Sequence, residues 1–261
     1  MSLSYEFTLN AVQFMAVFSR IAGIFMGFPL FRGSVITMKM KLMILLAITV
    51  ILLPSLPDAW SAQALLNHLS IMGLFTIILI ALLLGLTVSL AVFLMLEIAA
   101  LAGFFISMNV GYSMSMQFDP NTESQNTSIS VMLMQAFVLI FIITDMHLGF
   151  IKIAALSFKT MPPGHLFLSE SHMISIVDIS SSIFYYSFQL SLPIIAIMFL
   201  INVAMGIISR FGEDFQVLML SFPIRLGVGL MLLVSLIPII NNYFVEYCGN
   251  IIDHLGNILG L

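Results

Sequence analysis

The sequence predicts an all-α membrane protein with several membrane-crossing helices, and two observations carry this prediction. The 261 residues are 61% hydrophobic and only 8% charged, whereas a soluble domain has about 25% charged residues. The apolar residues also fall into long uncharged blocks, and about 20 such residues span a bilayer as a helix. A chain of this composition cannot cover a globular surface with polar groups. Its net charge of −4 does not favour a nucleic-acid partner.

Six apolar segments account for the predicted helices. In chain order they are Ala11 to Phe28, Leu42 to Leu53, Ile71 to Met108, Val131 to Ile151, Ile179 to Ile208 and Leu226 to Tyr243. Three of the connections are mixed or charged: Pro29 to Lys41, Phe158 to Asp178 and Arg210 to Arg225. The first connection contains the densest group of positive residues, which favours the cytoplasmic side of the membrane. Pro193 lies inside the fifth segment and is expected to kink it.

The third segment is too long for one ordinary span. A helix from Ile71 to Met108 would be about 57 Å long at 1.5 Å per residue, whereas the hydrocarbon core is about 30 Å thick. Two alternatives follow. The segment is either a hairpin broken near Gly85 or one long helix that extends beyond the bilayer.

The stretch from Gly103 to Pro120 interrupts the apolar pattern in the middle of the chain. Gly103 and Gly111 are expected to loosen a helix, and Asp119-Pro120 to end one. Methionine and aromatic residues lie between them: Phe105, Met108, Tyr112, Met114, Met116 and Phe118. Methionine fills irregular gaps, and irregular backbone at membrane depth occurs only where protein or a water-filled cavity covers it. We therefore interpret this stretch as a loop that lines or blocks a cavity.

Four ionisable residues in or beside apolar segments are candidates for ion or proton handling. Glu97 has apolar neighbours on both sides, so it is expected to face protein or water; it is either an ion site or a polar contact at a subunit interface. Arg20 can pair or extend to the membrane surface. Asp145 and His147 are two residues apart and do not share a helix face, so a proton relay and a polar contact at a helix end both stay open.

No enzymatic or metal-binding motif is present in the sequence. It contains no P-loop, no dinucleotide fingerprint and no GxSxG pattern. Cys248 is the single cysteine, which excludes a CxxC metal site, and HExxH is also absent. We predict no catalytic residue, no metal and no cofactor.

Several stretches together resemble the FliR family, the R subunit of the flagellar type III export gate. The matching residues are Phe18-Ser19-Arg20, Gly23 and Pro29; Gly103, Gly111 and Asp119-Pro120; His147, Ser157-Phe158, Pro162 and Gly164; and Leu192-Pro193, Asn202, Gly206, Arg210 and Phe222-Pro223. Their order and spacing make the resemblance specific. The chain departs from the family at Glu213-Asp214 and Gln216, where Pro-Gln and then Asn are usual, and at Ser221, where a glycine is usual.

The resemblance implies a single helical export-gate domain over residues 1–261, built of long, kinked helical hairpins. It would form part of a helical multi-subunit channel with P- and Q-type subunits, FliP and FliQ, alongside FlhB- and FlhA-type components. Unfolded exported proteins would cross this channel in the bacterial inner membrane, within the flagellar basal body. The subunit would be non-enzymatic. Virulence type III secretion systems carry a homologous subunit, which is the nearest alternative.

The resemblance also assigns roles to the candidate residues. The loop from Phe105 to Phe118 would plug the closed pore, with a bend at Gly111 and a deformable seal of Met108, Met114, Met116 and Phe118. Residues at the loop ends or in helix packing would be Gly103, Asp119, Pro120, Pro193, Gly206, Phe222 and Pro223. Apart from the resemblance, the polar residues Arg20, Glu97, Asp145, His147 and Arg210 are candidates for subunit-interface or ion-coupling roles. An ion-coupled transporter and a purely structural membrane scaffold are the rival hypotheses.

Overall fold

The computed structural model describes residues 2–32, 36–56, 71–112, 127–161, 170–211 and 217–258. Within these ranges every regular element is helical, so the all-α fold class is confirmed. The α-helices are α1 Ser2–Phe25, α2 Pro29–Arg32, α3 Met38–Leu52, α4 Ile71–Val110, α5 Ser128–Ile143, α6 Met146–Thr160, α7 Glu170–Phe211 and α8 Val217–Ile258. A single 3₁₀ turn, Leu53–Ser55, follows α3 in the described part of the chain.

Among the described residues, three helices are long and apolar enough to cross a membrane. Their apolar portions are Met72–Val110 in α4, Met173–Arg210 in α7 and Ser221–Gly256 in α8. The helices α5 and α6 would provide a fourth crossing if they are counted as one broken span. The predicted polytopic membrane-type architecture is therefore confirmed by the length and composition of its helices.

The segment after Ile71 is one helix of 40 residues and not a hairpin. Gly85 does not interrupt it, because this glycine lies where α4 meets α1. A Cβ atom at Gly23 of α1 would lie 2.7 Å from the Leu82 carbonyl oxygen and 3.0 Å from the Gly85 Cα. The two glycines therefore allow the helix backbones to touch, as small residues do in membrane proteins.

The predicted span from Val131 to Ile151 is not one continuous helix, because the helix breaks at Thr144 and Asp145. The Thr144 hydroxyl and N–H both donate to the Ile140 carbonyl, at 2.7 and 2.9 Å, and so end α5. Asp145 then adopts the left-handed conformation with a φ of 55°, which aspartate tolerates better than most residues. A second helix, α6, begins at the next residue.

Two expected connections are shorter than predicted, because α7 and α8 are each 42 residues long. The helix α7 begins at Glu170, inside the expected link from Phe158 to Asp178, and α8 begins at Val217. Polar residues do not stop a helix that needs only one apolar face. Pro193 lies inside α7, which continues on both sides of it.

The described residues belong to two compact units. The first comprises Met1–Leu94, Asp145–Ser180 and Gly249–Leu261. Within it, buried residues of α1 and α4 such as Ile21 and Ile77 form the core. The Ser19 hydroxyl donates to the Ile78 carbonyl at 2.9 Å, so a polar contact also joins these two helices.

The second unit comprises Met95–Thr144 and Ser181–Cys248. Aromatic contacts dominate its core, and the rings of Phe137 in α5 and Phe244 in α8 have centroids 4.0 Å apart. The buried Ser187 hydroxyl of α7 donates to the Ile98 carbonyl of α4 at 3.2 Å. The last part of α4 is thus packed against α7, and it carries the candidate site.

Candidate functional site

The end of α4 is a capped C-terminus at Gly111. The Gly111 and Tyr112 N–H groups both donate to the Ser107 carbonyl, at 3.1 and 3.0 Å. Gly111 has a φ of +88°, the left-handed conformation in which glycine commonly ends a helix. The chain leaves α4 at this glycine.

Gly103 does not loosen the helix, so the expected interruption there is wrong. Its position in α4 is the point of closest approach to the start of α5. A Cβ atom at Gly103 would lie 2.5 Å from the Ser130 Cα and 2.8 Å from the Ser130 N. Backbone atoms cannot move aside as a flexible side chain would. Gly103 is therefore required for helix packing.

Ser107, Thr127 and Ser130 form a buried hydroxyl cluster beside Gly103. The Ser107 and Thr127 hydroxyls are 2.6 Å apart, and those of Thr127 and Ser130 are 2.8 Å apart. Thr127 also accepts the Ser130 N–H at 3.2 Å, which makes it the N-cap residue of α5. None of the three side chains is more than 1% exposed. The cluster joins the end of α4 to the beginning of α5.

Ser107 and Thr127 lie on either side of residues 113–126, which contain part of the plug predicted from Phe105 to Phe118. Ser107 precedes residues 113–126 and Thr127 follows them directly. Five of the candidate residues lie outside the described residues: Met114, Met116, Phe118, Asp119 and Pro120. The structure therefore describes where this segment starts and ends.

The predicted loop does not begin at Phe105, because α4 continues to Val110. The ring of Phe105 meets Phe188 of α7 edge-on, with centroids 6.3 Å apart. Met108 lies on the exposed side of the helix, with 54% of its surface accessible. The predicted loop boundary was too early because a stretch with glycine and methionine can still be helical when its neighbours pack well.

The last turn of α4 also packs against α8. A Cβ atom at Gly229 would lie 2.5 Å from a methyl group of Val110, and Val110 is fully buried. The Phe222 ring lies 3.8 Å from the place that a Gly111 Cβ would occupy. Phe222 and the neighbouring Pro223 are otherwise exposed. The beginning of α8 therefore lies close to the point where the chain leaves α4.

Arg20 is the largest fully buried polar side chain in the first compact unit. Its guanidinium Nη1 donates to the Ser157 carbonyl at 3.0 Å, and both terminal nitrogens donate to the Met161 carbonyl at 3.2 Å. It also lies over the Phe158 ring, 4.8 Å from the centroid. The last carbonyls of a helix carry partial negative charge. Arg20 therefore caps the C-terminus of α6 and fastens it to α1.

The other candidate residues occupy ordinary positions in their helices. Glu97 is half-buried in α4, and His147 is half-buried in the first turn of α6. Asp145 is exposed at the boundary between α5 and α6, and Arg210 is exposed in the last turn of α7. Gly206 is exposed in α7, and nothing lies within 4 Å of the place for its Cβ. Among the residues that the structure describes, no three His, Cys, Asp or Glu side chains are grouped as a metal site would need.

The hydroxyl cluster was not among the residues singled out from the sequence. Thr127 did carry a usable signal, since threonine just before an apolar helical segment is a favoured N-cap residue. Ser107 carried none, because a serine in an apolar helix does not reveal a partner 20 residues further along the chain.

Comparisons with known proteins place these features in a family. Residues 11–251 match the family model described as "Bacterial export proteins, family 1". A flagellar biosynthetic protein FliR from Buchnera aphidicola subsp. Acyrthosiphon pisum is 27% identical, over 97% of this chain and 98% of that protein. The FliR of Buchnera aphidicola subsp. Baizongia pistaciae is 31% identical, over 90% of this chain and 86% of that protein.

A relative from a different apparatus matches a shorter part of the chain. The secretion system apparatus protein SsaT of Salmonella typhimurium is 25% identical, over 56% of this chain and 57% of that protein. The FliR relatives cover far more of the sequence. The chain therefore belongs to the FliR family of bacterial export proteins, and its long apolar helices are those of a membrane-type protein.

Proposed function

We propose that this chain is a non-enzymatic core subunit of the flagellar type III protein export gate in the bacterial inner membrane. It assembles with P- and Q-type subunits, FliP and FliQ, into a channel for unfolded proteins, and it works beside FlhB- and FlhA-type components. Membership of the FliR family supports this proposal. Three long apolar helices in the described part of the chain also support it.

The poor internal cover of α7 and α8 supports assembly with other subunits. Within the chain, only 22% of the most apolar part of α7 is buried and only 17% of that of α8, compared with 56% for α4. Apolar helices with so little cover must contact lipid or other helices. A subunit of a multi-subunit channel needs such uncovered faces.

The segment that starts at Gly111 plugs the closed pore in this proposal, with Tyr112, Met114, Met116 and Phe118 at the seal. The observation that carries this part is the buried 2.6 Å hydrogen bond between Ser107 and Thr127. It holds the two ends of the segment together, so the segment can be displaced by a substrate without separating α4 from α5. Methionine side chains then fill the gap again after the substrate has passed.

A role in a non-flagellar secretion apparatus is the second candidate function. The similarity to SsaT favours it. The longer matches to FliR proteins favour the flagellar role. Deletion of the gene distinguishes the two candidates, since loss of flagella is expected for the flagellar role alone.

Co-purification tests the proposed assembly. The tagged full-length chain is extracted in mild detergent from cells that also produce the P- and Q-type subunits. We expect a defined complex that contains all three proteins. Extraction of this chain alone, from membranes in which both other subunits are present, would contradict the proposal.

A further inference from the structure

Arg225 is a half-buried cation near the start of α8, on the side of that helix that meets the end of α4. Residues three before it and four after it share its helix face, and both contact the end of α4. The Phe222 ring lies 3.8 Å from the place that a Gly111 Cβ would occupy. A Cβ atom at Gly229 would lie 2.5 Å from a Val110 methyl group. Arg225 is therefore placed beside the point where the chain leaves α4.

No acidic side chain in the described part of the second compact unit is close enough to neutralise Arg225. Only two acidic residues occur there, Glu97 of α4 and Glu246 of α8. At 1.5 Å per residue, Glu97 lies about 20 Å from the end of α4 along the helix axis, and Glu246 lies about 30 Å from Arg225. Both separations exceed the distance of about 8 Å over which exposed charges interact in physiological salt.

The immediate surroundings of Arg225 do not satisfy its guanidinium either. Its Nε atom is buried and has no hydrogen-bond partner among the residues that the structure describes. Arg225 is also the one charged residue between Val217 and Val245. An arginine in such an apolar segment is costly in lipid, and arginines of this kind face a partner or a water-filled cavity and mark ion pathways.

The position of Arg225 favours a water-filled path over a structural role. Gly111 is the residue at which the proposed plug starts, so an exported chain that displaces the plug passes this end of α4. A fixed positive charge beside a narrow aqueous path repels cations, and arginine serves as such a barrier in membrane pores. The residue is then hydrated by the path and needs no carboxylate partner.

We propose that Arg225 lines the aqueous path beside the plug and limits the passage of cations when the plug is displaced. This inference rests on the proposed function and adds a specificity-determining residue to it. The plug closes the resting gate, whereas Arg225 acts in the open gate. It keeps small cations from crossing the membrane while the path is open.

The reversal potential of an opened gate tests the proposal. The complex with P- and Q-type subunits, opened by deletion of Ser113 to Gln117, is reconstituted in planar bilayers under a KCl gradient, with Arg225 or with Arg225→Gln. We expect the ratio of K⁺ to Cl⁻ permeability to rise about fivefold in Arg225→Gln. This change corresponds to about 1 kcal/mol, the interaction of two unit charges 4 Å apart in water. An unchanged ratio would overturn the proposal.

Two control variants separate the local charge from folding and from net charge. Arg225→Lys keeps the positive charge and should keep the permeability ratio of the parent complex. Lys39→Gln removes one positive charge at an exposed position in α3, in the first compact unit, and should also leave the ratio unchanged. A shift in either control as large as that of Arg225→Gln would overturn the proposal.

Chemical restoration of the charge provides a measurement within one folded complex. Arg225→Cys is combined with Cys248→Ala, which removes the single native thiol. Methanethiosulfonate reagents then form a mixed disulfide at position 225 and add either a cationic or an anionic group. The cationic reagent should lower the ratio of K⁺ to Cl⁻ permeability, and the anionic reagent should raise it. Equal effects of both reagents, or no reaction from the aqueous phase, would contradict a place on the path.

The same recordings distinguish failure of this inference from failure of the proposed function. If the deletion variant conducts ions but Arg225→Gln leaves its selectivity unchanged, the role of Arg225 alone fails. If the deletion variant stays closed, the plug fails, and the role of Arg225 fails with it because no path passes Gly111.

Discussion

The Ser107 and Thr127 hydroxyls share a buried hydrogen bond of 2.6 Å across 20 positions of sequence. Ser107 has a second role, since its carbonyl accepts the Gly111 and Tyr112 N–H groups that end α4. Thr127 also has a second role as the N-cap of α5. The contact therefore joins the residue whose carbonyl ends α4 to the residue whose side chain caps the start of α5, on either side of residues 113–126.

Breaking this contact should destabilise the protein. Ser107→Ala leaves the Thr127 hydroxyl without its 2.6 Å partner, and loss of a buried partner costs about 1–3 kcal/mol. Because Ser107 and Thr127 share one contact, Ser107→Ala combined with Thr127→Val should cost less than the sum of the two single variants. The free energy of unfolding in detergent micelles, measured for all four proteins of the cycle, checks this expectation.

Ser235→Ala is the control for that cycle. Its hydroxyl donates to the Met231 carbonyl of its own helix and is exposed, so its removal should change the free energy of unfolding by less than about 0.5 kcal/mol. Strict additivity of Ser107→Ala and Thr127→Val would contradict the role assigned to their hydrogen bond.

Gly103→Ala should be destabilising, whereas Gly206→Ala should not. A methyl group at Gly103 would meet backbone atoms of Ser130 at 2.5 and 2.8 Å, so α4 and α5 would have to separate. We expect a loss of about 1–3 kcal/mol for this overpacking. Gly206 lies in a helix with open space around it, and alanine there should stabilise by about 0.5–1 kcal/mol. Thermal unfolding of the purified variants shows whether the two substitutions act in opposite directions.

Gly111→Ala tests the helix end directly. Its φ of +88° is a conformation in which a side chain costs about 1–2 kcal/mol. No steric clash contributes, because the nearest atom to the new methyl group would be a Phe222 ring carbon at 3.8 Å. Asparagine tolerates this conformation better than alanine, so Gly111→Asn should lose less stability than Gly111→Ala in the same unfolding measurement. Equal stability of the alanine variant and the unaltered protein would contradict the assigned backbone conformation.

Arg20→Lys should weaken the attachment of α6 to α1 although the charge is kept. Lysine cannot reproduce a planar guanidinium that bonds the Ser157 and Met161 carbonyls and stacks on Phe158. Charge-assisted hydrogen bonds contribute about 1.5–3 kcal/mol each, and we expect a loss of that order. Limited proteolysis should show faster cleavage after α6 in this variant, and Arg210→Lys, at an exposed position, should behave like the unaltered protein. Unchanged protection in Arg20→Lys would show that charge alone suffices.

The fold class was predictable because it depends on average properties of the chain. Composition and the length of apolar segments identified a helical membrane protein without knowledge of any contact. The residues at which the helices begin and end were harder to predict, because they depend on contacts between distant residues. Gly85 illustrates the difficulty: a glycine can interrupt a helix or allow close packing, and only the presence of Gly23 opposite it decides for packing.

The candidate site was predictable only in part, because it too depends on contacts between distant residues. Gly111 is recognisable as a place where a helix can end, and the structure ends α4 there. The break after Ile143 was not recognisable, because it depends on the backbone conformation of Asp145 inside a continuous apolar pattern. The pairing of Ser107 with Thr127 could not be predicted from the sequence either, since the two residues are 20 positions apart.

The plug itself is the central claim, and the ion conductance of the assembled gate tests it most directly. Deletion of Ser113 to Gln117 shortens the segment and leaves Ser107, Gly111 and Thr127 in the chain. The complex with P- and Q-type subunits is reconstituted in planar bilayers with either the unaltered chain or this deletion variant. We predict a steady ion conductance with the variant and a closed barrier with the unaltered chain. An equally closed barrier with the variant, in complexes of equal composition and yield, would contradict the claim.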